Sequence, residues 1–166
     1  MTSSFNSNLN QFNTQIQEIT IDNKENALKE MFNNSLKYFS EKNKGNLPKT
    51  IIIYREGGNE WKNKTQQNIY EFYLQPQLVN QGTANPTQFQ VMYYDKEDEL
   101  SQENLEKLTF YLCFYYWTWS GAVRIPAILK MAMTAIEFCV KCDIVNKNLF
   151  EIIIFIYYNS FCGYFL

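Results

Sequence analysis

Residues 51–54 read Ile-Ile-Ile-Tyr, and no other segment restricts the fold as much. Three consecutive β-branched side chains favour extended backbone, and the lack of a polar alternate predicts a strand buried on both faces, inside a parallel or mixed sheet. Arg55-Glu56-Gly57-Gly58 follows at once. A charged group at the carboxyl end of an interior strand, beside glycines that allow tight backbone, is a common geometry for sites at the edge of an α/β sheet. A solvated strand end would look the same, so the residues alone leave the role of Glu56 open.

Helical periodicity flanks this strand. Leu28, Met31, Phe32, Leu36 and Phe39 recur at three and four, and Gly45 and Pro48 close the segment, which predicts an amphipathic helix of about four turns. Pro76, Gly82 and Pro86 break the polar stretch 59–85 into loops around a possible short element at Ile69–Leu74, and Gln88–Tyr94 reads as a second strand. Ser101 is a suitable N-cap for a helix carrying Leu105, Leu108 and Leu112 on one stripe. Pro126 is placed to open a last helix, with Lys130, Thr134, Glu137 and Lys141 outside and Ile128, Leu129, Ala132, Ile136 and Val140 inside. Strands alternating with helices make the expected class α/β, a mixed sheet with flanking helices.

With 166 residues the chain has room for one core. Three regions are expected within it: a flexible polar leader over 1–25, a domain over 26–142, and a divergent apolar and aromatic tail over 143–166. The leader is Ser, Asn, Gln and Thr with too little apolar area to offset the entropy of ordering. The tail's last eighteen residues, Leu149–Leu166, have a single charge, Glu151, and read as a buried or edge strand, a membrane-seeking tail, or non-native sequence appended to a partial domain. No membrane partner is favoured, because the apolar run Ile152–Tyr158 is too short to span a bilayer.

Absence of histidine removes every His-ligated metal site and every imidazole-dependent mechanism from this sequence. Seventeen acids against fifteen bases give a net charge of -2, so any polyanion site has to be local. Cys139 and Cys142 form a CxxC pair, but Cys113 and Cys162 are not a second close pair, so no metal site or cofactor is expected. The start MTSSFNSNLN has no signal-peptide layout, which with four thiols suits a reducing cytoplasmic or nuclear setting.

Arg124 is the most suggestive cation. It stands between WTWSG and Pro126, where a guanidinium and the unbonded N–H groups of a helix start can together hold a phosphate, with Lys130 one turn on. Pairing of Arg124 with an acid of the sheet edge is the competing reading. The aromatic stretch Phe110–Trp119 reads as core and subunit surface ahead of a stacking platform for bases.

Three strings, in order, resemble the later half of the PIWI domain of the Argonaute/Piwi family, closer to the Piwi branch. SLKYFSEKNKGNLPKTIIIYREGG resembles the helix, loop and strand that end in a Tyr-Arg-Asp-Gly motif; NPTQFQVMYYD resembles the next strand; and LEKLTFYLCFYYWTWSGAVRIPAILKMAMTAIEF resembles the closing helix, Trp-x-Gly turn and Pro-initiated helix. Together they cover Leu28 to Val140. The resemblance implies a partial RNase H-like fold and an association with a small guide RNA or an RNA duplex in small-RNA silencing. In active members of the family bound divalent ions cut the paired target.

At the second catalytic acid the family pattern has Asp where this sequence has Glu56, and Met133 occupies the position of the family's histidine. An extra methylene moves both carboxylate oxygens by about 1 Å, and a thioether is a poor ligand for Mg²⁺. The earlier half of the domain, with the guide 5′-phosphate pocket, the first catalytic Asp and the glutamate finger, has no counterpart among the matched strings. The resemblance therefore implies RNA binding without slicing, with Arg124 and Lys130 as the binding candidates. A protein-interaction module or inert remnant, self-associating through exposed apolar surface, is the reading from another class.

Overall fold

The structure is a computed structural model and describes residues 1–6, 9, 11–17, 23–55, 70–78, 85–93, 100–142 and 153–158. Helices and small sheets alternate along it, as expected for an α/β chain. Two compact units divide the sequence: one from Met1–Glu56 with Met131–Leu166, the other Gly57–Lys130.

The first unit is organised around a four-stranded sheet. Its strands are β1 (Thr2–Ser4), β2 (Phe12–Thr14), β3 (Thr50–Arg55) and β6 (Ile153–Tyr158), in the order β2-β1-β6-β3. β6 lies antiparallel to β3 over six residue pairs, Thr50 opposite Tyr158 through Arg55 opposite Ile153, and parallel to β1 at Thr2 and Ser3. The tail therefore supplies an inner strand.

Two observations bear on the sequence expectations. First, described residues within the expected leader form strands: β1 and β2 pair antiparallel, Thr2 opposite Thr14, and Thr2, Ser3 and Ser4 are buried. Small hydroxyl side chains let this backbone enter the sheet without the large apolar groups that mark a strand in sequence. Second, the Ile51–Tyr54 strand forms, but at the edge of the described sheet, with exposure alternating along it and Ile53 57% exposed. Three isoleucines in a row satisfy β geometry without requiring burial of both faces.

Helix α1 (Lys24–Lys42) covers this region with Ala27, Met31, Ser35 and Phe39, spaced by four and all buried. Met1, Met31 and Phe39 form a core cluster edged by Phe5, Phe32 and Leu36. Polar contacts fasten the leader to the helix: the Gln15 side-chain amide donates to Ser35 Oγ at 2.9 Å, and Asn43 Nδ2 donates to the carbonyls of Phe5 and Phe39. The helix ends in a Schellman turn, the Gly45 N–H reaching the Ser40 carbonyl at 2.8 Å with Lys44 in the left-handed region at φ 57°.

In the second unit β4 (Tyr70–Leu74) pairs antiparallel with β5 (Thr87–Val91). The element expected near Ile69–Leu74 is thus a strand, and the strand expected over 88–94 runs from Thr87 to Val91. Phe72 and Phe89 face each other in register and stack at 5.1 Å and 11°. On the opposite face the Glu71 carboxylate accepts from Gln88 and Gln90 at 2.9 and 2.8 Å. Helix α2 (Gln102–Leu112) begins as expected, Ser101 Oγ accepting from the Asn104 N–H at 3.2 Å, and buries Leu105, Leu108, Thr109 and Leu112. Helix α3 (Ala127–Lys141), of which only residues 127–130 belong to this unit, follows Pro126, whose carbonyl accepts from the Leu129 and Lys130 N–H groups. None of the described helices is long and apolar enough to cross a membrane.

Candidate nucleic-acid interface

The backbone leading to α3 is held from two directions. The Val123 N–H donates to the Cys113 carbonyl at 2.8 Å, closing an eleven-residue loop directly after α2. From the β4–β5 side, Gln77 Nε2 donates to the Ala122 carbonyl at 3.1 Å and Thr87 Oγ1 donates to the Arg124 carbonyl at 3.0 Å. Arg124 thereby leaves a fixed backbone, its side chain exposed, three residues ahead of α3.

The base of the loop is apolar and inert. Cys113 is fully buried; its thiol donates to the Thr109 carbonyl at 3.4 Å, and burial pushes the thiol up to about 12. Pro126, Ala127, Ile128 and Leu129 are buried on the far side of Arg124. Lys130 is half-buried in the first turn of α3, which holds no acidic residue. A cation there opposes the helix dipole, and a bound anion would relieve it.

The aromatic stretch, expected as core and subunit surface, divides between burial and exposure. Phe110 is half-buried, and Phe114 leans on it with centroids 5.2 Å apart. Trp117 and Trp119 point outward, 81% and 63% exposed. Gly121 accommodates the second indole: a Cβ added there would lie 3.1 Å from Trp119 Nε1. The sequence signal for this exposure is Trp117-Thr118-Trp119-Ser120-Gly121, small and polar residues between the rings, with no helical spacing to turn them inward.

Met133 is half-buried on α3, and Glu56 lies outside the described residues, as do Gly57, Gly58 and the acidic run at 95–99. Cys139 is half-buried and Cys142 exposed, both free thiols at the end of α3. No three metal-ligating side chains gather among the described residues.

Fold and site together define an α/β chain that presents an arginine and uncovered indoles just ahead of a helix start. Residues 61–139 match the family described as Piwi domain. The chain is 44% identical over 63 residues to Protein piwi of Drosophila melanogaster, covering 38% of this chain and 7% of that protein. Against Protein argonaute-3 of Drosophila melanogaster it is 43% identical over 68 residues, 41% of this chain and 8% of that protein. The crystal structure of Drosophila Piwi aligns at a TM-score of 0.40 and 24% identity, over 72% of this chain and 19% of that one. Residues 61–139 are thus similar to a Piwi domain, a partial and divergent match, and the chain spans less than a tenth of the length of those two relatives. Arg124, Lys130 and Met133 fall inside the matched segment and Glu56 outside it.

Proposed function

We propose that the chain binds RNA through the segment around Arg124 and Lys130, as a remnant of an RNase H-like Piwi fold acting in small-RNA silencing, in the cytoplasm or nucleus, and does not cut what it binds. The carrying observation is local charge. Residues 107–136 contain Lys107, Arg124 and Lys130 and not one Asp or Glu, in a chain whose net charge is -2. That stretch lies wholly inside the Piwi-domain match. An exposed guanidinium suits a phosphate, and since Lys107 is already paired with Glu103 at 2.7 Å, the local charge rests on Arg124 and Lys130. The absence of cutting rests on the family pattern: Glu56 stands in place of Asp and Met133 in place of His.

Mobility-shift titration of the full chain with a guide-length RNA, single-stranded and as a duplex, tests the binding. The expected result is a shift at low salt that weakens at physiological salt and weakens about tenfold further in Arg124→Ala. No shift at low salt overturns the reading. Incubation of a guide-paired RNA with Mg²⁺ or Mn²⁺ is expected to leave it intact, with Met133→His insufficient to restore cutting; metal-dependent cleavage lost in Glu56→Gln overturns the non-catalytic assignment.

A second reading has its own observation. Leu78, Tyr93 and Trp117 are each more than four-fifths exposed, which suits an interaction module covered by a protein partner or by self-association. Concentration-dependent sedimentation without any RNA shift selects that reading.

A further inference from the structure

The geometry points to a stacking site for unpaired nucleobases on Trp117 and Trp119, with Arg124 at its base for the adjoining phosphate. This rests on the RNA-binding reading and sharpens it to a preference for single strands over duplex.

Several observations converge on one short loop. The Cys113–Val123 hydrogen bond ties its ends, so the residues between form a closed projection rather than a loose connection. Within it the Trp119 N–H donates to the Tyr116 carbonyl at 3.1 Å, and the indole lies against Gly121 where a Cβ would crowd it. The ring is thus pre-positioned by backbone. Trp117 and Trp119 are largely exposed, whereas Phe110 and Phe114 are occupied with each other. Burial therefore does not explain the two indoles. The loop has no charged residue, and the first one beyond it is the exposed Arg124. Rings flanked by a cation and free of acids complement a base and its phosphate, and suit a purely apolar partner less well. In a duplex the base faces are already stacked on one another, so the same rings gain little from it.

The test uses the full chain in a Trp61→Phe background, which leaves the two loop indoles as its fluorophores. A single-stranded RNA 12-mer is expected to quench them and shift their emission. Trp117→Leu and Trp119→Leu are each expected to weaken its binding by about tenfold, with Trp→Phe at either position recovering part of the loss. An abasic ribose-phosphate oligomer of equal length should bind weakly, depend on Arg124 and ignore both tryptophan substitutions. Single-stranded binding that is unaffected in both leucine variants, or unquenched, overturns the stacking site while leaving the Arg124 interface standing. Substitutions that change sedimentation instead of RNA affinity overturn it in favour of a protein partner. Failure of the parental chain to shift any RNA brings down the binding reading itself.

Discussion

The two units are held together by different kinds of sequence. In Gly57–Lys130 the order comes from neighbours: β4 pairs with β5, the next strand in sequence, and α2 runs through a closed loop into the start of α3. In the other unit the sheet is assembled from opposite ends of the chain, β1 at residue 2 lying beside β6 at residue 154. The binding candidates Arg124 and Lys130 lie in the locally ordered unit, inside the Piwi-domain match, whereas strands β1 and β6 of the other unit lie outside residues 61–139.

The sharpest way to break this contrast is to spoil the inner strand. Ile156 pairs with Ile52, and Ile156→Pro would remove a ladder donor inside the sheet and crowd the neighbouring strand, a loss of about 1–3 kcal/mol for the unpaired partner alone. The expected outcome is loss of cooperative melting in the first unit, with amide protons of α2 still protected in hydrogen exchange. Equal loss of protection in both units would mean that they fold as one cooperative body.

Leu112→Ala addresses the other side. This residue is 1% exposed at the end of α2, directly before the loop that bears the indoles. Truncation is expected to destabilise that unit by about 2–5 kcal/mol and to weaken RNA binding through the loop, without changing β6 exchange. An unchanged melting profile would show that the α2 stripe is not a core.

What could be read from sequence follows the same division. Ser101 capping α2, the Leu105, Leu108 and Leu112 stripe, and Pro126 opening α3 were legible because each is set by residues within a turn or two. The β1 strand was not legible, since Thr2, Ser3 and Ser4 enter the sheet by backbone pairing and small size, neither of which leaves a hydrophobic period. The edge position of β3 was missed for a related reason: a β-branched run states a backbone preference, and which neighbours cover it depends on distant segments. Of the site, Arg124 and the helix start could be read, but the outward turn of Trp117 and Trp119 depends on the Cys113–Val123 bond, which joins residues ten apart.

A third test probes how tightly the leader is held. The Met1 ammonium donates to the Gln15 carbonyl at 2.6 Å, and burial lowers its pKa from 8.0 to about 6. Between those values the unfolded chain binds the proton and the folded chain does not, so stability rises with pH across that window. Above pH 8 neither state is charged and the stabilisation is complete; it is lost as pH falls through 6. The expected change is on the order of 2 kcal/mol, followed by denaturant melts at several pH values. Nα-acetylation should flatten the profile; a pH dependence that survives acetylation would place its source elsewhere.

The smallest effect belongs to the turn after α1, where the leader-bearing unit carries a strained residue. Lys44 sits at φ 57°, a region in which a Cβ crowds the backbone, while the following Gly45 at φ 84° already has the freedom it needs. The Schellman bond from Gly45 to Ser40 requires that left-handed step, so the strain at Lys44 is retained rather than relaxed. Glycine at this position relieves the contact but also loosens the unfolded chain, and the first effect should win by about 0.5–1 kcal/mol. Lys44→Gly is therefore expected to raise the melting temperature by a few degrees, with Lys44→Asn intermediate between it and the parent. Because α1 packs on Met1 and Phe5, the gain should appear in hydrogen exchange of β1 and be absent from α2. A gain shared equally by α2 would mean that the locally ordered unit is stabilised through the other one.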